Sequence, residues 1–194
     1  SNLETALTAV WDSGASLGDR VLVVGFGLVG ALTARLLAGM PGVEVFFQEP
    51  APYRHALARS WQLRPWPEQP AFQADIAFHA SATGPGLQAA VDAVGEEGRV
   101  VEMSWYGDRP VVLHLGGDFH QRRKRIISSQ VSALPPARLS RWDHRRRKDV
   151  VLRLLQAPFW EKVLDRRTPF AEAPALFAEI RQGQVAELAC LLTY

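Results

Sequence analysis

Short apolar runs alternate with longer amphipathic stretches along the chain, the pattern of βαβ units on a parallel sheet. Residues 3–13 put Leu3, Leu7, Val10 and Trp11 on one helical face, and Gly14 closes the segment. Residues 21–24, Val-Leu-Val-Val, are apolar on both faces, as a central parallel strand requires. A helix is expected over 28–38, stopped by Gly39 and Pro41, and a second strand over 43–47. Pro52 opens a helix that runs to Ser60, since proline is tolerated in a first turn. Residues 62–66 read as a short third strand, and the prolines at 65, 67 and 70 make the continuation a loop. Further strands are expected over 76–80, 99–104 and 126–131, with a helix over 87–94 and a turn at Gly98. Residues 111–115 alternate and are expected to pair at a sheet edge. A basic amphipathic helix is expected over 140–156, a last helix over 171–181 and a final strand over 188–193.

Six strands with intervening helices predict an α/β fold, a doubly wound parallel six-stranded Rossmann sheet with helices on both faces. The expected organisation is an entry helix and linker over 1–18, the sheet domain over 19–160, and a C-terminal helix and strand over 161–194.

The chemistry concentrates at Val24-Gly25-Phe26-Gly27-Leu28-Val29-Gly30, a G-x-G-x-x-G placed directly between a strand and a helix. Gly25 permits the tight turn, Gly27 lets a pyrophosphate approach the backbone, and Gly30 lets helix and strand pack closely. The amides of Leu28 and Val29 then face phosphates at the positive end of the helix. Glu49 ends the second strand, where an acid accepts hydrogen bonds from the adenosine ribose hydroxyls and repels a 2′-phosphate. The expected cofactor is therefore NAD rather than NADP.

These segments resemble the C-terminal cofactor-binding portion of the medium-chain dehydrogenase/reductase superfamily, the relatives of zinc-type alcohol dehydrogenase. The resemblance rests on Gly18 to Gly25, on Gly42 to Pro50, on Asp75-Ile76-Ala77-Phe78-His79-Ala80-Ser81, on Gly98-Arg99-Val100-Val101 and on Pro169 to Pro174. It implies that Arg54 lies over the adenine, that Ala80, Ser81 and Ala82 line the adenosine side, and that Ser104 and Trp105 lie near the nicotinamide. It also implies hydride transfer between NAD(H) and a small alcohol or carbonyl substrate, and a homodimer. Members carry a catalytic domain ahead of this portion, with zinc ligands in the zinc-dependent ones. That domain has no counterpart in this sequence, so any zinc would be held outside the chain, and the chain alone is expected not to turn over an alcohol. A departure lies at Asp165-Arg166-Arg167, where relatives have a histidine. A stand-alone dinucleotide-binding module or redox sensor is the alternative.

Composition narrows the other classes. The chain has 194 residues, 47% of them hydrophobic and 22% charged, with a net charge of +2. No apolar run reaches the roughly 18 residues of a membrane span, and no basic, apolar leader opens the sequence. The single cysteine, Cys190, excludes an internal disulfide and a multi-cysteine zinc site, and a cytoplasmic setting is the expectation. None of the histidines at 55, 79, 114, 120 and 144 stands at metal-ligand spacing, and His79 is read as structural. The basic runs at 122–125 and 145–148 are diluted by Asp118, Asp143 and Asp149 and lack interleaved aromatic residues, so no nucleic-acid partner is expected.

Overall fold

The structure, a computed structural model, describes residues 1–157, 160, 163, 164 and 166–194. Asp165, noted above as a departure, lies outside the described residues. The chain divides into two compact units, Ser1–Lys148 and Asp149–Tyr194.

The first unit is built on a six-stranded parallel sheet formed by β1 (Arg20–Val24), β2 (Glu44–Gln48), β3 (Arg64–Pro65), β4 (Ala74–His79), β5 (Val94–Glu102) and β6 (Arg125–Ser128). Their spatial order is β3-β2-β1-β4-β5-β6, so the order of strand addition reverses between β1 and β4. That is the doubly wound order, with its ligand crevice beyond the carboxyl ends of those two strands. The central strands are buried on both faces because helices cover both. Leu22, Val24, Phe46, Ala77 and Val100 pack with Leu87, Ala90 and Val91 of α4 (Gly84–Ala93). Their sequence neighbours Val21, Val23, Phe47, Ile76, Phe78 and Val101, also buried, point to the opposite face. There α1 (Asn2–Ser13) packs on α2 (Leu28–Leu37), α2 on β1 and β2, and α1 on β5. α3 (His55–Ser60) follows a 3₁₀ turn at Pro52–Arg54, and α5 (Asp118–Gln121) is a single turn.

Several expectations are corrected; among them, the turn expected at Gly98 lies within β5. Residues 111–115 form no strand. Val111 and Leu113 instead lie against the α4-side core, beside Trp66, Phe72 and Phe119. The alternation therefore records one buried side of an irregular segment that helps cover the sheet, and the His114 amide is satisfied by the Gln88 side chain. The helix expected from 87 begins at Gly84. Thr83 caps it by accepting the Gly86 amide, and Pro85 sits in the first turn, so residues that look like breakers are start signals. The helix expected over 140–156 is α6 (His144–Leu154), because the Asp143 carboxylate accepts the Arg146 amide and fixes the start four residues later than the hydrophobic pattern suggests.

The second unit holds β7 (Arg166–Pro169), α7 (Ala173–Arg181) and β8 (Cys190–Thr193). β8, shorter than the expected 188–193, pairs in parallel with β7, which the sequence pattern does not mark. Arg166 bridges Glu179 at 2.7 Å, and Phe170 stacks on Tyr194.

The run at 122–125 is engaged within the fold. Lys124 is buried, donating to the Val91 carbonyl and pairing with Asp118, while Arg123 and Arg125 both reach Glu97. In the second run, Arg147 is buried against Glu4, Thr8 and the Val131 carbonyl.

Candidate functional site

At the switch point a cleft of about 490 Å³ opens, lined by Val24, Gly25, Gly27, Gln48, Glu49, Pro50, Arg54, Ala80, Ser81, Thr83, Pro85 and Gly86. Of the residues expected from sequence, it brings together Gly25, Gly27, Glu49, Arg54, Ala80 and Ser81. Leu28, Val29 and Gly30 open α2 behind that wall, and Ser104 and Trp105 are not among the lining residues. Trp105 is 88% exposed. Sequence reasoning missed Gln48, Thr83 and Gly86, whose place follows only from knowing where β2 ends and α4 begins.

The glycines differ in what requires them. Gly25 has φ +93, and a Cβ there would lie 2.8 Å from the Ser81 nitrogen. At Gly30 a Cβ would fall 2.0 Å from the Gly25 carbonyl oxygen, so the close seating of α2 on the turn depends on its absence. Gly27 is different. It has ordinary extended backbone (φ −74), and a Cβ would meet nothing nearer than Arg54 Nη1 at 3.9 Å. Nothing in the chain itself demands glycine there, so the open space it leaves belongs to the cleft and fits a group that must approach the backbone.

Glu49 is nearly buried, its side chain 5% exposed, and is held from three sides. Oε2 accepts the Phe26 amide at 2.8 Å and Arg54 Nη1 at 3.3 Å, and Oε1 accepts the Ala51 amide at 2.9 Å. The Phe26 contact ties the acid to the glycine turn itself. A carboxylate offers about four acceptor positions, so room for a ligand hydroxyl remains chiefly on Oε1. Arg54 Nε is buried and has no hydrogen-bond partner, an orphaned donor beside the cleft of the kind a ligand or water satisfies.

A polar cluster lies along the far wall. His79 and Glu102 are register partners at the carboxyl ends of β4 and β5. His79 is fully buried, with Nδ1 2.9 Å from both Glu102 oxygens and Nε2 2.7 Å from Ser81 Oγ. Glu102 also accepts the Ser104 amide at 2.7 Å and the Tyr106 hydroxyl at 2.9 Å. Burial pushes the Glu102 carboxyl up, but the His79, Ser104 and Tyr106 hydrogen bonds outweigh it and hold the group below the ordinary carboxylate value. Burial and the Glu102 carboxylate drive the Tyr106 phenol well above its usual range. The available signal was a histidine and an acid at the ends of two adjacent parallel strands. Among the described residues no group of three or more metal-ligating side chains comes together, and no helix is long and apolar enough to cross a membrane.

No protein-family model matches the chain, and no curated protein sequence matches it. Solved structures do. A short chain alcohol dehydrogenase from Escherichia coli in complex with NADH superimposes with TM-score 0.79 at 17% identity, covering 100% of this chain and 57% of that one. A zinc-binding dehydrogenase from Sinorhizobium meliloti bound to NADP gives 0.77 at 18% identity, with 100% and 57% coverage. An acetophenone reductase from Geotrichum candidum in complex with NAD gives 0.77 at 15% identity, with 100% and 53% coverage. The chain thus shares the fold of a little more than half of each of these three proteins.

Proposed function

We propose that this chain is the cofactor-binding portion of a medium-chain, zinc-type alcohol dehydrogenase relative, and that its switch-point cleft holds NAD(H). The observation that carries the reading is Gly27, whose missing side chain the fold does not need and a pyrophosphate would. The likeness to dehydrogenases solved with NADH, NADP and NAD supports a nicotinamide dinucleotide. When bound, the dinucleotide supplies the hydride chemistry.

The residues of the chain bind and orient it. The amides of Leu28 and Val29, at the start of α2, face the pyrophosphate, where the helix dipole favours negative charge. Gly25 and Gly30 hold the turn and helix in the position that makes this approach open. Glu49 accepts a ribose hydroxyl on Oε1. A 2′-phosphate brought to this nearly buried carboxylate would meet a like charge with little water to screen it, so NAD is favoured over NADP. Arg54, which lines the cleft, is assigned to the adenine. Ala80 and Ser81 form the adenosine wall, and Ser104 and Trp105, just beyond β5, are assigned to the nicotinamide side.

The substrate is a small alcohol or carbonyl compound, met in a catalytic domain outside this sequence, as is any zinc. The chain by itself then binds cofactor without turnover. Calorimetric titration with NADH and with ADP-ribose tests the reading. Saturable binding of both supports it, because the contacts built here are to the adenosine and pyrophosphate. Absence of heat or saturation with either ligand contradicts it.

A further inference from the structure

The hydrogen-bonded series Glu102–His79–Ser81–Thr83 fixes the polarity that one wall of the cleft presents. The carboxylate of Glu102 accepts hydrogen bonds and has none to give, so the proton between it and His79 sits on Nδ1. In the neutral ring Nε2 is then a lone-pair acceptor, and the 2.7 Å contact is Ser81 O–H donating to it. Thr83 is committed in turn. Its oxygen accepts the Gly86 amide at 3.1 Å, and its proton points to Ser81 Oγ at 2.9 Å.

A hydroxyl has one proton and two lone pairs. Ser81 gives its proton to His79 and one lone pair to Thr83, so what it offers the cleft it lines is the remaining lone pair. Neither hydroxyl has a proton left for a ligand. The arrangement is held from behind, because His79 is fully buried and Glu102 is fixed by the Ser104 amide and the Tyr106 hydroxyl. It is also held from the side. A Cβ on Gly86 would lie 2.2 Å from Ser81 Oγ and 2.8 Å from Thr83 Oγ1, so only glycine lets α4 start this close to the pair.

Adenine carries acceptors at its ring nitrogens and a donor at its 6-amino group. With the ribose assigned to Glu49, an acceptor on the adenosine wall is complementary to that amino group. Hypoxanthine has a carbonyl oxygen at the same position, which would set lone pair against lone pair. We propose that Ser81 is a specificity-determining residue that accepts a hydrogen bond from the 6-amino group of adenine, and that Glu102 and His79 are positioning residues that keep its proton out of the cleft. The inference rests on the assignment of the cleft to NAD(H), and adds to it a selection for 6-amino over 6-oxo purine dinucleotides.

The test is calorimetric titration of the full chain with NADH and with reduced nicotinamide hypoxanthine dinucleotide. In the wild type NADH is expected to bind at least about 10-fold more tightly, the scale of one hydrogen bond replaced by an unsatisfied pair of acceptors. In Ser81→Ala the two affinities converge. Glu102→Gln gives a readout that a merely structural role would not move. The glutamine oxygen keeps the Ser104 amide, so its NH₂ stands where Oε2 stood and donates to His79 Nδ1. The ring proton then sits on Nε2 and is donated to Ser81, and a hydroxyl proton of the Ser81–Thr83 pair turns to the cleft. The hypoxanthine dinucleotide is expected to bind this variant at least as tightly as NADH. Saturable NADH binding with equal affinity for the hypoxanthine analogue overturns this inference and leaves the cofactor assignment standing, whereas no NADH binding overturns both. A wild-type preference that persists in Ser81→Ala, or in a folded Glu102→Gln chain, also overturns it.

Discussion

Replacing Gly27 by alanine separates what the fold needs from what the ligand needs. The new Cβ meets no atom closer than 3.9 Å, and φ −74 suits any residue. Loss of glycine's unfolded-state freedom stabilises by about 0.4–1 kcal/mol, and alanine as a helix N-cap is worse than glycine by a few tenths to about 1 kcal/mol. The two nearly cancel, so Tm stays within about 3 °C of wild type. Gly30→Ala is the contrast. Its Cβ would sit 2.0 Å from the Gly25 carbonyl oxygen, which is backbone and yields only if α2 moves. Overpacking of that kind costs at least about 2 kcal/mol, or about 4–8 °C in a chain of this size. Binding orders the variants differently. Gly27→Ala places a methyl group where the pyrophosphate must approach, and NADH affinity falls about 10-fold or more, equivalent to about 1.4 kcal/mol. Thermal unfolding followed by circular dichroism, with NADH titration of the same samples, reads both quantities. A Gly27→Ala chain that binds NADH as wild type, or unfolds as readily as Gly30→Ala, refutes the reasoning.

Three other outcomes follow from single groups. Glu102, held below the ordinary carboxylate value of 4.5, contributes stability that is complete above that pH and is lost as pH falls through its lower folded value. Urea unfolding of wild type and Glu102→Gln should therefore diverge above about pH 4.5 and converge in stronger acid, and parallel profiles would contradict it. Asp12 has the opposite sign, since burial raises its carboxyl above 3.8 despite the Ser129 hydrogen bond. Its stabilising contribution is greatest in acid and declines as pH rises through the folded value. Asp12→Asn, which can still accept from Ser129, should raise Tm near pH 7 and leave it unchanged near pH 3; an unchanged Tm at both would count against the assignment. Thr83→Ala removes the α4 cap and should cost about 1 kcal/mol by urea unfolding, an unchanged midpoint being the contrary result.

The sheet was legible because its central strands are apolar on both faces and because glycines punctuate the first strand–helix junction. Runs such as Val21 to Val24 have few alternatives to a buried parallel strand. What failed depended on tertiary context. Residues 111–115 carry strand-like alternation, but Val111 and Leu113 cover a sheet face instead of pairing. The start of α4 was hidden because Pro85 and Gly86 read as a break until Thr83 is recognised as the cap. β7, Arg-Arg-Thr-Pro, has no apolar run to mark it. Gly25, Gly27 and Glu49 were readable residue by residue, since the glycine motif and the strand-end acid are local patterns, and the fold sets them around one cleft. The His79–Glu102 pair was not, because the two residues lie 23 positions apart and meet only when β4 and β5 are set in register. His79 in the sequence is an isolated histidine; in the fold it is the centre of a hydrogen-bonded series.

The most direct test of the central claim is a parallel titration of wild type and Glu49→Ala with NADH and NADPH, followed by tryptophan fluorescence. The account predicts saturable NADH binding that exceeds NADPH binding at least about 10-fold in the wild type, a preference that disappears in the variant as the buried negative charge is removed. Equal affinity for the two cofactors in the wild type, or a preference that survives the loss of Glu49, would contradict it.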